Sequence, residues 1–388
     1  MTRFTGPQRF LLAGSFLIPL GSFAVLPFMS VLLHERFGMG LGSVGFVLAV
    51  ASLVQFSGGV VGAAVAERIG LRRTMTLAMA VRSTGFALFV PGLRWPWLAV
   101  AALVLTCCGA ALYLPANKAY LVDGVDERRR PLLLSAGSSA INAGVALGPL
   151  AAGPFVLDAS AALFAVVAGL FAALTAGHAL LPAETARPEA RPRNVLSGIP
   201  LLPFAITALS VYLFMFFQHF LAVYALARMS PVLYGAVLAG YSLSVVVLQP
   251  LLSDRIARTS YGRAMGAGFT AMAAGMATIA PGHPVAIPIG ALLISLGEVV
   301  LFLKNDLEAL DRSTRAPAVV FGQQRLAAGL GAFASAVLGG QLYGLAAASG
   351  HSGLFWAAVA AQCALLPPMA LITFRVRAKR KIRRTSST

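Results

Sequence analysis

Residues 144–153 read GVALGPLAAG, inside an apolar stretch that runs from Pro131 to Leu157. Gly144, Gly148 and Ala152 fall at i, i+4 and i+8, and so share one helical stripe. A stripe of small residues lets a second helix approach backbone to backbone, which is how helices associate in lipid. Pro149 removes a backbone donor and can bend the helix where that packing is closest. The segment therefore reads as a lipid-embedded helix pressed against a neighbour.

Composition extends that reading to the whole chain. Hydrophobic residues make up 58% of it, charged residues 11%, and the mean hydropathy is +0.82. A soluble domain carries about 25% charge, so this chain must dissolve mainly in lipid. A bilayer-spanning helix needs about 20 apolar residues. Twelve candidate spans fit: 8–33, 42–66, 74–92, 97–120, 132–156, 159–181, 200–226, 231–252, 262–281, 285–309, 318–345 and 353–374. They leave no room for a sizeable soluble domain. The helix beginning near Arg9 is too long for a signal-peptide core, and it is expected to be the first permanent span.

The net charge of +17 would suggest nucleic acid in a soluble protein, but here its placement points elsewhere. Of 30 Lys and Arg residues, 23 fall in the N-terminus, the even-to-odd connections and the C-terminal tail. They are Arg3 and Arg9; Arg68, Arg72 and Arg73; Arg128 to Arg130; Arg187, Arg191 and Arg193; Arg255, Arg258 and Arg263; Arg312 and Arg315; and seven from Arg375 to Arg384. The opposite side has only Arg36, Arg94 and Arg228. The positive-inside rule then places both termini in the cytoplasm. The basic tail is expected to meet anionic lipid headgroups, and no nucleic-acid partner is expected. Cys107, Cys108 and Cys363 all lie in apolar spans and read as small core residues, with no metal-ligand spacing around them.

The chain is also duplicated. Gly109, Asn117 and Asp123 recur 188 residues on as Gly297, Asn305 and Asp311, while Glu67-Arg68 recurs 187 on as Asp254-Arg255. The same offset carries Gly144 onto Gly331 and Gly153 onto Gly340. The expected organisation is a six-helix half over 1–182, a cytoplasmic connector over 183–199, a second six-helix half over 200–374 and a basic tail over 375–388. Parallel repeats of this kind are an architecture of secondary transporters, which rock one half against the other.

With those residues in view, the chain resembles the major facilitator superfamily. The stretch from Gly144 through Gly148, Pro149 and Gly153 resembles that family's antiporter signature, Gly-x-x-x-Gly-Pro-x-x-Gly-Gly, at four of five defined positions, with Ala152 replacing one glycine. Importers and uniporters of the family usually lack it, so the resemblance implies export by exchange. A tight helix contact with no bearing on direction would use the same residues. Ala63 to Arg73 resembles the family's gating motif, Gly-x-x-x-Asp-Arg-x-Gly-Arg-Arg, in degraded form. Arg68, Gly70 and Arg72 stand, Glu67 replaces Asp, Leu71 replaces a basic residue, and Gly62 is one place early. In the family the acid and arginine form an ion-pair latch across the helix ends; a turn carrying positive-inside arginines is the plainer alternative. Asp254 and Arg255 form a weaker second copy. The implied fold is all-α, with twelve transmembrane helices in two six-helix halves.

Few charges fall within the spans. Glu298, Asp306 and Glu308 all lie in span 10, Glu298 near its centre. A charge there costs about 2.5–3.5 kcal/mol unless it faces water or a partner, and protonation removes the charge. Glu298 is thus the leading candidate to carry a coupled proton, with a permanent ion pair as the alternative; His219, Asp306 and Glu308 are further candidates. Candidate partners inside the membrane are Arg82, Lys118, Lys304 and Arg325. Lys304 and Glu308 are four apart and can pair, Arg325 is expected to meet Asp306 or Glu308, and Lys118 is expected to snorkel to the headgroups. Glu298, Phe302 and Asn305 share a face. Tyr113 and Asn117 mark the matching face in the first half; Gln55, Asn142, Phe217 and Gln218 are further candidates for a substrate cavity. Aromatic side chains in span 7 offer flat surface to a lipophilic or cationic substrate, or serve as interface anchors.

No phosphate-binding loop, zinc spacing, nucleophile elbow or flavin fingerprint is present. An enzyme, a cofactor and a bound metal are therefore not expected. The expectation is a monomeric, proton-coupled antiporter in the bacterial inner membrane, exporting small lipophilic compounds. Its partners would be a small-molecule substrate, protons and membrane lipids. The alternatives are uptake or exchange of a polar metabolite such as a siderophore, sugar or amino acid, and a non-transporting membrane partner or sensor.

Overall fold

The structure, a computed structural model, describes residues 4–29, 32–33, 39, 41–152, 155, 160–184, 194 and 196–385. Arg3, Arg36, Gly153, Arg187, Arg191 and Arg193 lie outside the described residues, as do most of the connector 183–199 and the side chains of the basic tail from Arg375 to Arg384. Among the described residues there are twelve α-helices: α1 (Gly6–Phe23), α2 (Leu41–Ile69), α3 (Leu71–Gly92), α4 (Pro96–Val122), α5 (Arg130–Ala152), α6 (Ser160–Ala179), α7 (Leu201–Leu226), α8 (Pro231–Arg258), α9 (Tyr261–Ile279), α10 (Ala286–Asp311), α11 (Pro317–Ala348) and α12 (Gly353–Thr385). No strand occurs among the described residues. Among the described residues, ten of the helices are individually long and apolar enough to cross a membrane.

Helix starts follow local chemistry. Thr5 and Gln8 form a reciprocal capping box on α1, with Pro7 in its first turn. Ser230 caps α8 by accepting from the Leu233 amide, again beside a proline. Between α2 and α3 the connection is a single residue. Gly70 takes φ of +90°, which L side chains rarely adopt, so one glycine ends one helix and starts the next. The segment expected as a gating loop is therefore helical on both sides of Gly70, with Glu67 and Arg68 in α2 and Arg72 in α3. Asp254 and Arg255 likewise lie inside α8. α12 continues past the expected end of its span into the basic tail, because Lys and Arg are good helix formers and no breaker follows Pro368 before Thr385.

The chain forms two compact units: residues 1–198 with 314–326, and residues 199–313 with 327–388. Within the first, α3 packs on α4 and α6, α2 on α4, and α1 on α5. Within the second, α9 packs on α10 and α12, and α8 on α10. The pairs α3–α4, α3–α6 and α2–α4 recur at six helices' remove, so the duplication seen in sequence is carried into packing.

Gly144 and Gly148 make the predicted close approach. A Cβ on Gly144 would collide with the Phe16 carbonyl oxygen of α1, and one on Gly148 would lie 2.7 Å from the Leu20 carbonyl. In the second unit Gly331, the repeat partner of Gly144, abuts the Ala208 carbonyl of α7. Gly340, the partner of Gly153, meets nothing within 4 Å.

Candidate functional site

In the second unit a cluster forms around Tyr241 of α8. Its hydroxyl is hydrogen-bonded to Glu298 Oε2, and the Gln218 side chain of α7 reaches the same hydroxyl. The Phe217 ring stands 5.2 Å from that of Tyr241, Phe214 stands 6.2 Å from Phe217, and Phe302 stands 5.6 Å from Phe214. Glu298 is 6% exposed and has no ion-pair partner among the described residues. A tyrosine hydroxyl can donate to a carboxylate and accept from a carboxylic acid, so the pair accommodates both protonation states. Aromatic rings beside it supply the apolar wall that lipophilic ligands require. Glu298, Phe217, Gln218 and Phe302 are thus brought together. Tyr241, which joins them, carries no sequence mark beyond being a polar group in an apolar helix.

Other expected positions lie elsewhere. Asn305 accepts from Tyr261 of α9 at 2.7 Å and so is drawn away from the aromatic cluster. His219 is exposed, its ring edge-on to Phe220. The expected Lys304–Glu308 pair is not formed: Glu308 binds Arg312 at 2.6 Å, and Lys304 donates to the Ala257 carbonyl at 3.1 Å. Arg312 wins because it follows Glu308 by four residues at the helix C-terminus, where a cation is favoured. Asp306 is half-buried in the same stretch.

In the first unit Arg325 is held against an aromatic ring of α2. Its guanidinium lies 4.6 Å from the Phe56 ring centre, and its stem packs over Gly59 of α2. Lys118 places its ammonium 5.4 Å from the centre of the Phe321 ring. Arg82 is buried, bonded to Ser22 and stacked 4.7 Å over Phe171, with its Nε unpaired. Among the described residues Gln55 receives only a long contact from Cys107 at 3.9 Å, and Asn142 turns back onto the Ser138 carbonyl of its own helix at 3.0 Å.

Tyr113 and Asn117 are enclosed in a chain that sequence reasoning did not assemble. His178 Nδ1 lies 2.7 Å from the Leu174 carbonyl, which can only accept, so Nδ1 carries the hydrogen. Nε2 lies 3.1 Å from the Tyr113 hydroxyl, which is 3.2 Å from the Asn117 amide; that amide in turn reaches Ser15 at 3.3 Å. All four side chains are buried.

The gating residues take a different partnership from the one implied. Arg68 is exposed. Glu67 pairs with Arg315 at 2.9 Å, with side chains 2% and 6% exposed, and Arg315 also donates to Ser197 Oγ at 2.9 Å. The signal for Arg315 was the repeat itself, since it lies 187 residues after Arg128. Glu184 accepts from the Leu71 amide at 2.8 Å, and Arg72 donates to the Leu181 carbonyl at 3.1 Å, which fastens the end of the first half to the start of α3.

The sequence profile described as the Major Facilitator Superfamily matches residues 11–304, well over half of the chain. The chain belongs to the major facilitator superfamily. That makes it a multi-pass membrane protein of a transporter family, not an enzyme. Among curated relatives, the multidrug resistance protein MdtH of Photorhabdus laumondii is 31% identical over 143 residues, covering 37% of this chain and 35% of that protein. MdtH of Cronobacter sakazakii is 31% identical over 170 residues, 44% of this chain and 42% of that protein. A Na(+), Li(+), K(+)/H(+) antiporter of Planococcus maritimus is 29% identical over 143 residues, covering 36% of this chain and 33% of its own. The matched stretches thus span between 33% and 42% of the length of these relatives. Among solved structures, the human organic anion transporter MFSD10 superposes with a TM-score of 0.75 at 17% identity, covering 93% of this chain and all of its own. The E. coli fucose:proton symporter FucP gives 0.74 at 12% identity, covering 94% and 98%. At these identities the structural likeness speaks for the fold.

Proposed function

We propose that this protein is a proton-coupled antiporter that exports small lipophilic compounds from a bacterial cell, with Glu298 carrying the coupled proton. The observation that carries the reading is Glu298 itself: a carboxyl midway along a membrane helix, without a cation among the described residues, bonded to a hydroxyl that suits either protonation state. Such a group can be loaded and unloaded if its access to water changes between two conformations. The aromatic surface beside it favours a lipophilic or cationic substrate. Two relatives named as multidrug resistance proteins and one named as a cation/proton antiporter support the same direction. In this reading the protein acts as a monomer in the inner membrane with both termini in the cytoplasm. Its two halves, 1–182 and 200–374, rock about the site to give alternating access.

The test uses inside-out vesicles from efflux-deficient bacteria expressing the chain, energised to acidify the lumen, with a pH-gradient dye as readout. A panel of lipophilic cations, antibiotics and polar metabolites is added, with sodium, lithium and potassium as a separate arm. Dissipation by a lipophilic compound, absent in Glu298→Gln vesicles, is the expected result. Dissipation only by alkali cations would replace the substrate class, and a flat response from folded protein would overturn antiport.

A further inference from the structure

The corner where α8 ends and α9 begins holds a cavity of about 640 Å³ that the transport reading does not use. Arg255, Arg258 and Arg263 line it together with Asp254, Thr259 and Ser260. All three arginines are exposed, and none has an ion pair or side-chain hydrogen bond among the described residues. Asp254 offsets one of the three positive charges, which leaves a net excess of cation. Ser260, which lines the cavity, is the N-cap of α9, and its side chain makes no capping bond to the first amides of that helix. A helix N-terminus adds to the attraction for an anion.

Directly alongside is a second crevice of about 250 Å³, which shares Arg255 and Thr259 with the first. Its remaining walls are Leu252 and Ile256 of α8, Ala264 and Ala267 of α9, and Leu296 and Val300 of α10. They are uniformly apolar. A basic basin at the ends of two membrane helices thus opens into an apolar slot running along those helices. The ends of a spanning helix lie at headgroup level and its apolar length at acyl-chain level, which suits a basic basin at the helix ends and an apolar slot along them.

We infer that this corner binds an anionic phospholipid, its phosphate held by Arg255, Arg258 and Arg263 and one acyl chain lying in the slot against Leu252, Ala267 and Val300. The charge excess selects an anionic over a zwitterionic headgroup, and the slot selects a lipid over a free phosphate. Lys304 contributes from beneath: it donates to the Ala257 carbonyl and so braces the last turn of α8 that presents Arg255 and Arg258.

The test uses full-length protein, delipidated in dodecyl maltoside and titrated with phosphatidylglycerol, phosphatidylcholine or inorganic phosphate, with native mass spectrometry and the unfolding temperature as readouts. Two variants are compared with wild type. Arg255→Gln/Arg258→Gln/Arg263→Gln removes the charge, and Ala267→Trp fills the slot. Monodisperse elution and an unchanged unfolding temperature without lipid show that each variant folds; should the triple variant fail that check, the Lys triple replaces it and must retain binding. The expected result is phosphatidylglycerol adducts on wild type, at least tenfold weaker on both variants, with phosphatidylcholine binding weakly throughout. Adducts that survive both variants would overturn the inference. So would inorganic phosphate displacing phosphatidylglycerol at equal concentration, since that would make the corner a phosphate site without a role for the slot. Neither outcome depends on whether the protein exchanges protons.

Discussion

The hydroxyl of Tyr241 on α8 is bonded to the carboxyl of Glu298 on α10, joining two helices through the acidic group midway along α10. The bond sets the carboxyl beside Tyr241, whose hydroxyl Gln218 of α7 also reaches and whose ring meets Phe217. Glu298→Gln keeps the shape and one hydrogen-bond acceptor but cannot exchange a proton. Reconstituted Glu298→Gln protein is therefore expected to lose gradient-driven transport while retaining substrate counterflow. Tyr241→Phe removes one charge-assisted bond, worth about 1.5–3 kcal/mol, and should slow coupled transport roughly tenfold or more without uncoupling it. Wild-type coupling in Glu298→Gln would sink the assignment, and full coupling speed in Tyr241→Phe would separate the tyrosine from it.

Glu67 and Arg315 make a second kind of pair, buried and opposite in charge. Removing one member leaves an uncompensated charge out of water, at a cost of about 3–5 kcal/mol. Glu67→Gln and Arg315→Gln should each lower the unfolding temperature markedly, whereas the double variant should be more stable than either single change. Additive losses, measured by thermal unfolding in detergent, would mean that the two side chains do not act as a pair.

What could be read from the chain alone depended on the range of the physics involved. The stripe of Gly144 and Gly148 was legible because helical period and side-chain volume are local, and the close approach to α1 follows from them. The recurrence of helix pairings was legible because a duplicated sequence repeats its packing. Glu298 was legible as an acid that lipid penalises, but Tyr241, 57 residues away, was not, since no spacing rule joins two helices. Glu308 shows the limit of local rules. It has a base four residues to either side, and proximity alone did not say that Arg312 would take it while Lys304 turned to a carbonyl on α8. The contact of Arg325 with the Phe56 ring was not legible either, since no spacing rule joins an arginine to an aromatic ring so far off in sequence.

The two ends of the repeat predict opposite tolerance to a methyl group. At Gly144 an added Cβ runs into the Phe16 carbonyl and comes within 2.9 Å of the Leu20 amide. Backbone cannot yield as a side-chain tip can, so Gly144→Ala should cost about 1–3 kcal/mol through separation of α5 from α1. Gly340, exposed and with nothing within 4 Å, should accept alanine with no loss and gain slightly in helix propensity. Equal unfolding temperatures for the two alanine variants would contradict the close approach.

The chain from His178 through Tyr113 and Asn117 to Ser15 predicts non-additive energetics in the first unit. Tyr113→Phe deletes the one hydroxyl that serves both His178 Nε2 and the Asn117 amide, leaving two buried polar groups short of a partner. Each unsatisfied buried group costs about 1–3 kcal/mol. Asn117→Ala removes the amide as well as its bond, and Tyr113 keeps His178, so that variant should lose less. With Asn117 already gone, Tyr113→Phe strands only the histidine nitrogen, and the double variant should be less destabilised than the sum of the two. Unfolding in detergent across the four proteins of the cycle measures the coupling directly. A coupling energy of zero would mean that Tyr113 binds the histidine and the amide independently, and that the chain is not a single network.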